Sequence, residues 1–230
     1  MMASYADSAQ SNGGRRPHST HPGVIALAIG LAFARMATVG AGTLLTLNSS
    51  GNSSPRVVSV WGGAMTQMIL ESDGSVWAWG ANNNGQLGNG TTNNTYVPTR
   101  VVGPGGVGYF GPASAIMGGE AHNFALKPDG TVWCWGANNS TMGLLGNGTT
   151  SASAVPVQAS NLTSTVSLGG RGYHSLAIKS NGTVWAWGWN SKGELGNGTA
   201  NATLVPVQVV GLTNPAVVTG GLPIQFGPDA

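Results

Sequence analysis

Two histidines and one cysteine are the residues in the repetitive part of this chain that most invite a chemical role. His122 and His174 could act as general bases or metal ligands, and Cys134 could act as a nucleophile. The two histidines, however, occupy the same position in two copies of a sequence repeat, and neighbouring repeat units hold such positions apart. Cys134 stands where the other copies have Ala78 and Ala186, which indicates a small buried position. We therefore predict structural roles for all three.

A glycine-rich stretch offers a second candidate site. Residues 103–108 match the pattern G-x-G-x-x-G of dinucleotide-binding loops. Residues 109–112, Tyr-Phe-Gly-Pro, would interrupt the helix that must follow such a loop, so the phosphates would lack their helix N-terminus. The single cysteine excludes an intrachain disulfide and a multi-cysteine zinc site. We expect no catalytic residue, no cofactor and no metal, and hence no enzyme.

Pairs of tryptophans recur along the chain and must organise its core. The pairs are Trp77 and Trp79, Trp133 and Trp135, and Trp185 and Trp187. They recur after 56 and then 52 residues, a period typical of repeat architectures. Because a strand alternates its faces, both tryptophans of a pair share one face, and Val and Ala or Cys share the other. Both faces are apolar, so we predict a strand covered on both sides and a structural role for the tryptophans.

Each pair belongs to a set of four short strands. An apolar run precedes it, followed by Asp73-Gly74, Asp129-Gly130 or Asn181-Gly182, which predict tight hairpin turns with positive φ at both central residues. A last run after each pair contains Pro98, Pro156 or Pro206. Proline cannot donate to a sheet ladder, so this run should form an edge strand. We predict an all-β chain built from propeller-type blades, each a four-stranded antiparallel sheet.

Several short elements recur in fixed order. They include Gly118-Gly119 with His122, Lys127-Pro-Asp-Gly130, Trp79-Gly-Ala-Asn82 and Gly85-Gln-Leu-Gly88. These elements resemble the regulator-of-chromosome-condensation repeat family over about residues 57–221. The sequences Thr-Val-Trp-Ala-Trp-Gly and Gly-Asn-Gly-Thr-Thr are most similar to exported bacterial members.

The resemblance implies a seven-bladed propeller, but this chain contains only three full repeats. They cover about residues 57–108, 113–161 and 165–213, and a fourth repeat starts at 217–221. Since a propeller needs at least about four blades to close, three interpretations stay open. The chain is a fragment of a longer product, a unit of an oligomeric ring completed by self-association, or an open arc of three blades.

The first 47 residues resemble a targeting segment. An apolar run at 24–34 follows basic residues and ends in Ala32-Phe-Ala34, as in an export signal. Apolar character resumes at 36–47, so the segment would instead form an anchor helix if Arg35 is tolerated. The third alternative is that the segment has neither role. Residues 48–56 form a linker, and residues 222–230 form a tail. We expect a secreted or cell-surface protein, or one attached to a membrane through this segment alone.

Charge is unevenly distributed. The first 56 residues contain four arginines and one aspartate, whereas the remainder has five basic and six acidic residues. A nucleic-acid binder shows a basic patch, and the repeats show none. We therefore expect a protein partner and no nucleic acid.

Residues that break the repeat are candidates for binding, because loops vary while the core holds them. Tyr109 and Phe110 lie in a stretch six residues longer than its counterpart in the next copy, and Met142 lies in a two-residue insertion. Arg171 interrupts a glycine-rich turn, and Trp189 replaces an alanine. Aromatic and arginine side chains dominate interface hot spots, so these five residues are the predicted protein-binding set. Ordinary loop variation is the alternative.

These observations favour a non-enzymatic module for protein–protein interaction, exported or exposed at the cell surface. The resemblance implies two specific activities. The family includes secreted bacterial proteins that inhibit β-lactamases through a propeller face, and its nuclear member promotes guanine-nucleotide exchange on a small GTPase and associates with chromatin. A gene fragment without independent function is the remaining alternative.

Overall fold

The computed structural model describes residues 54–212, which form three four-stranded antiparallel sheets. In each sheet the strands lie in chain order, so each sheet is a simple meander. The one helical segment in this range is a 3-10 turn, Pro104–Gly106, and no helix there is long and apolar enough to cross a membrane. The predicted all-β blade architecture is confirmed. The signal-like segment 1–47, the start of the fourth repeat at 217–221 and the tail 222–230 lie outside the described residues.

The three sheets are called blades 1 to 3 in chain order. Blade 1 consists of β1 (Val57–Gly62), β2 (Thr66–Glu71), β3 (Val76–Gly80) and β4 (Thr95–Arg100). Blade 2 consists of β5 (Ala115–Gly118), β6 (His122–Leu126), β7 (Val132–Gly136) and β8 (Ser153–Gln158). Blade 3 consists of β9 (Thr165–Arg171), β10 (His174–Lys179), β11 (Val184–Gly188) and β12 (Thr203–Gln208).

The proline-containing strands lie at the edges of their sheets. β4, β8 and β12 each pair with one neighbour, the tryptophan strand of the same blade. The edge position predicted for Pro98, Pro156 and Pro206 is therefore confirmed, because an edge strand tolerates a residue that cannot donate to the ladder. The tryptophan strands, in contrast, have a hydrogen-bonded neighbour on each side.

The hairpin turns differ from the prediction in one respect. Only the glycine has positive φ, at 83° in Gly74, and Asp73 does not. The Gly74 N–H donates to the Glu71 carbonyl, and the Glu71 N–H donates to the Ser75 carbonyl, both at 2.9 Å. This is a three-residue loop that ends in a left-handed glycine, rather than a two-residue turn with two left-handed residues. Asp73 prefers to accept a hydrogen bond from the Ser75 N–H, at 2.8 Å, which it can do with ordinary φ.

Neighbouring blades share their apolar cores. Met68 and Leu87 of blade 1 lie in one buried cluster with Trp135 of blade 2. Phe124 of blade 2 lies in a second cluster with Trp187 of blade 3, with ring centroids 6.0 Å apart. Blades 1 and 2 therefore each bury the second tryptophan of the blade that follows.

Hydrogen bonds fix this packing. The indole N–H of Trp135 donates to the Gln86 carbonyl, and that of Trp187 donates to the Leu144 carbonyl, both at 3.0 Å. The approach is so close at Gly88 that an added Cβ would lie 2.8 Å from Cδ1 of Trp135. The Leu-Gly-Asn-Gly element thus holds the tryptophan of the next blade, which explains why the two motifs recur together.

Candidate protein-binding surface

The antiparallel topology gives each blade two different ends. At one end, called the loop end, a short turn joins the first two strands and a long loop joins the last two. The pairing of Arg171 with His174, and of His174 with Gly188, places all three residues at the loop end of blade 3. The opposite end, called the turn end, carries the Asp-Gly or Asn-Gly turns and the connection to the next blade.

Three of the five predicted binding residues lie at the loop end. Arg171 is exposed, and Met142 and Trp189 are half-buried. The Trp189 N–H donates to the Tyr173 carbonyl at 2.8 Å, which ties the long loop of blade 3 to its short turn. The Glu120 N–H donates to the Gly172 carbonyl at 2.9 Å, so the short turns of blades 2 and 3 are joined as well. The fold therefore holds this end on a connected backbone.

The other two predicted residues lie in the connection from β4 to β5, at the turn end. Tyr109 is exposed, and its ring lies 4.3 Å below the guanidinium of Arg100. Phe110 is buried in the core between blades 1 and 2, with its ring 5.8 Å from that of Trp135. The prediction that Phe110 belongs to a binding surface is corrected: its side chain fills the space between two blades and cannot contact a partner there.

Two exposed residues at the loop end were missed in the sequence. Met65 and Tyr173 occupy equivalent positions in the short turns of blades 1 and 3, where blade 2 has Ala121. The signal was available, because this position directly precedes Thr66 and the two histidines and yet differs in all three copies. It was hidden by the strong repetition of the residues around it.

The loop end has balanced charge among the described residues. Arg171 and Lys192 are basic, and Glu120 and Glu194 are acidic. A hydrogen bond to the Glu120 carboxylate raises the pKa of Tyr173, since ionisation of the phenol would place two negative charges together. An apolar and aromatic surface with mixed charge suits a protein partner.

Basic side chains at the turn end lie against the first tryptophan of each pair. Arg100 lies 5.7 Å from the ring of Trp77, Lys127 5.0 Å from Trp133 and Lys179 4.3 Å from Trp185. These cation–π contacts cover the half-buried rings and place the charges beside the sheet. The first tryptophan of each pair therefore lies at the turn end of its blade, whereas Trp135 and Trp187 lie in the cores between blades.

The two histidines lie in different environments. His122 is fully buried, its Nε2 lies 2.8 Å from Oγ of Ser175 in blade 3, and its ring stacks on Phe124. Burial lowers the pKa of His122 to about 3, with a smaller contribution from His174, so the ring is neutral at physiological pH. His174 is half-buried, and partial burial lowers its pKa as well.

Cys134 and possible metal ligands are the remaining candidates for a chemical role. Cys134 is buried, and burial raises the pKa of its thiol, which disfavours the reactive thiolate. Within residues 54–212, no group of three or more His, Cys, Asp or Glu side chains is placed to hold a metal ion.

A buried asparagine organises each long loop at the loop end. The Asn82 amide donates to the carbonyls of Thr91 and Asn93, at 2.9 and 3.0 Å, and its Oδ1 accepts from the Leu87 N–H at 2.8 Å. Asn190 makes the equivalent bonds in blade 3. In blade 2, which carries the insertion around Met142, Oδ1 of Asn138 has no partner among the described residues. The amide of Asn138 still donates to the carbonyls of Thr149 and Ser151, at 2.8 and 3.3 Å, so the loop of blade 2 lacks only the bond to Oδ1.

We expect Asn82→Ala and Asn190→Ala each to lower the free energy of unfolding by about 1–2 kcal/mol, because buried backbone groups lose their partners. Asn138→Ala is the matched control and should cost less, since its amide also donates to two loop carbonyls but its Oδ1 accepts no bond from the described residues. Urea unfolding followed by tryptophan fluorescence measures all three. Equal losses at the three positions would contradict the role given to Oδ1.

Comparison with known proteins agrees with this architecture. The family model described as "Regulator of chromosome condensation (RCC1) repeat" matches residues 73–126, 129–178 and 181–221. The chain is 33% identical over 134 residues to the mitochondrial RCC1 domain-containing protein RUG3 of Arabidopsis thaliana. It is 29% identical over 177 residues to the human regulator of chromosome condensation. These alignments cover 57% and 75% of the chain.

A solved structure shows the same fold. The structure of Prp20p from Saccharomyces cerevisiae superposes with a TM-score of 0.57 at 24% identity, over 66% of this chain and 38% of that one. The chain spans 29% of the length of RUG3 and 40% of the length of the human regulator. Three copies of the repeat match in sequence, and their blades match in structure. This chain therefore belongs to the family of proteins built from regulator-of-chromosome-condensation repeats.

Proposed function

We propose that the chain is a non-enzymatic interaction module that binds a protein partner through the loop end of its blades. The observation that supports this proposal most directly is where the copies differ. Met65, Met142, Arg171, Tyr173 and Trp189 all break the repeat, all lie at the loop end, and all are exposed or half-buried. The repeated tryptophan, leucine and asparagine residues serve the core and the loops.

The composition of this surface supports a protein rather than a small molecule as the ligand. Tyrosine, tryptophan, methionine and arginine are enriched in protein interfaces. Arg171, Tyr173 and Trp189 stand on loops that the backbone bonds at Gly172 and Tyr173 hold together, so little order would be lost there on binding. We also propose that the protein is exported, because residues 1–47 have a signal-like sequence. Since the secreted proteins that this chain resembles inhibit β-lactamases, a purified β-lactamase is the first partner to test.

Simultaneous substitution of Met65, Tyr173 and Trp189 by alanine is expected to weaken partner binding at least tenfold, because each removes a large side chain from the proposed contact. The experiment compares capture from the extracellular fluid of the source organism by immobilised wild type and variant, followed by the affinity of each captured protein. The matched control changes the exposed Val107 and Tyr109 at the turn end to alanine.

A partner retained by the turn-end variant and lost by the loop-end variant would support the proposal. Loss of binding only in the turn-end variant would place the site at the opposite end, and no specific capture by the wild type would contradict the proposed function altogether.

Guanine-nucleotide exchange on a small GTPase is the second candidate, favoured by the 177-residue alignment with the human regulator of chromosome condensation. A nucleotide-release assay distinguishes the two. Accelerated release that the loop-end substitutions leave unchanged would replace the present proposal with exchange activity.

A further inference from the structure

Blade 3 exposes an apolar flank, distinct from the loop end. Leu176 and Leu195 form a buried cluster with other residues of blade 3 alone. They line an open pocket of about 270 Å³ together with Val209 and Leu212. This volume lies just below the range of about 300–1,000 Å³ typical of small-molecule sites, and its lining carries few polar groups. The pocket is therefore better suited to an apolar side chain than to a cofactor.

The two internal interfaces show which side chain fits. On blades 1 and 2, the equivalent flank holds the second tryptophan of the next blade, and the carbonyls of Gln86 and Leu144 accept its indole N–H. The Glu194 carbonyl occupies the same repeat position on blade 3. Leu212 is 38% exposed, whereas its equivalent in blade 2, Leu162, is 1% exposed because blade 3 covers it.

Blade 1 exposes the complementary flank. Val60 is 70% exposed, whereas the equivalent Ile116 and Leu168 are 5% and 7% exposed. Trp79 is half-buried, although both equivalent tryptophans are fully buried. Within residues 54–212, the indole N–H of Trp79 has no acceptor. This flank is the surface that each of the other two blades presses against its predecessor.

Backbone spacing on blade 3 also fits another blade. At Gly85 of blade 1, an added Cβ would lie 2.5 Å from Cα of Ala154 in blade 2. At the equivalent Gly193, no described atom outside the immediate chain lies within 4 Å of such a Cβ. The residue of blade 1 equivalent to Ala154 is the exposed Tyr96. A second copy could therefore bring its β4 against Gly193, as β8 lies against Gly85.

We propose that two copies of this chain associate head to tail, with the blade 1 flank of one copy on the blade 3 flank of the other. Trp79 enters the pocket beside Leu195, and its indole N–H donates to the Glu194 carbonyl. Because the two surfaces differ, the contact is heterologous and closes only if a ring forms. Two copies supply six described blades, within the four to eight typical of propellers, whereas three copies would supply nine.

The test measures the mass of the full chain in solution by light scattering over a range of concentrations. We expect twice the chain mass of 23.1 kDa. Val60→Asp spoils the blade 1 flank and Leu212→Asp spoils the blade 3 flank, so each variant alone should dissociate at least tenfold more readily. An equimolar mixture should associate more readily than either variant alone, because the blade 1 flank of the Leu212→Asp copy and the blade 3 flank of the Val60→Asp copy still form one intact contact. The second contact of the ring stays spoiled, so the mixture should remain weaker than the wild type.

Val166→Asp is the matched control, because Val166 is an exposed apolar strand residue outside the buried clusters. It should leave the dimer unchanged, and far-ultraviolet circular dichroism confirms that all variants fold. A monomeric wild type at every concentration would overturn the proposal. So would a mixture that associates no more readily than either variant alone, since the one intact pair of flanks would then make no contact. Both results are independent of binding at the loop end.

Discussion

Trp135→Ala and Trp187→Ala are each expected to lower the free energy of unfolding by about 3–5 kcal/mol, the range for removing a buried large side chain. Both indoles are fully buried between two blades. Each loses a hydrogen bond of 3.0 Å to a carbonyl of the preceding blade. The Leu144 carbonyl loses its indole donor, whereas the Gln86 carbonyl keeps the Asn123 amide as a donor at 2.7 Å, so the loss at Trp187 should be the larger of the two.

Trp79→Ala is the internal control for this prediction. Trp79 has the same position in its repeat and, like Trp187, lies between an alanine and a glycine, but it is only half-buried. The expected loss is about 1–2 kcal/mol, from partial burial alone. Urea unfolding, followed by circular dichroism at the lowest usable concentration, keeps any association of chains from adding to the value. An equal loss at all three positions would show that the tryptophans stabilise their own blades and not the interfaces between them.

The repeat explains why so much of this fold could be predicted from the sequence. A position that recurs three times is constrained by its own sheet. Period-two alternation around the Trp pairs assigned the central strands, the Asp-Gly and Asn-Gly pairs assigned the hairpins, and the prolines assigned the edges. The turn geometry was only partly predictable. An Asp-Gly pair fits both a two-residue and a three-residue loop, and the choice depends on a hydrogen bond between Glu71 and Ser75 that the sequence does not display.

The binding surface was less predictable than the core. Phe110 lies in a stretch without a counterpart in the other copies, so no repeat position indicated that its ring would fill the space between blades. Met65 and Tyr173 had a usable signal, because they differ at one aligned position. Whether a flank of blade 1 or blade 3 is exposed depends on which blade lies beside it. The sequence of a single repeat does not contain this information.

A second large effect is expected from pH, through one histidine. Burial holds the pKa of His122 at about 3, against an ordinary value of 6.5. In the unfolded chain the ring binds a proton below pH 6.5, whereas in the folded protein it stays neutral until about pH 3. The unfolded state then binds more protons, so its free energy falls relative to the folded state. The stability contributed by the neutral ring is complete above pH 6.5 and is lost as the pH falls toward 3.

Between pH 7 and pH 4 this difference should cost about 3 kcal/mol of stability, at about 1.4 kcal/mol per pH unit below 6.5. His122→Thr copies the residue that blade 1 has at this position, Thr66, and removes the titrating group. The variant loses the contact between Nε2 and Ser175 at every pH, so its absolute stability is no guide. The informative quantity is the slope of the free energy of unfolding against pH. In the variant this slope should decrease by the contribution of about one bound proton.

The matched control for the slope is His174→Thr, since His174 has the same position in blade 3 but is only half-buried. Partial burial lowers its pKa in the same direction, so the control should flatten the slope as well, but by a smaller amount than His122→Thr. Asp73 and Asp129 have lowered pKa values whose causes include neither histidine, so they titrate equally in all three proteins and cancel in the comparison. The lowered pKa of Glu194 depends in part on His174, so this carboxylate titrates differently in the control. If His122→Thr left the slope unchanged, the ring would have to be solvated in the folded protein. The interface between blades 2 and 3 would then be open to water at this position, and the dry core that holds Trp187 would have to end short of His122.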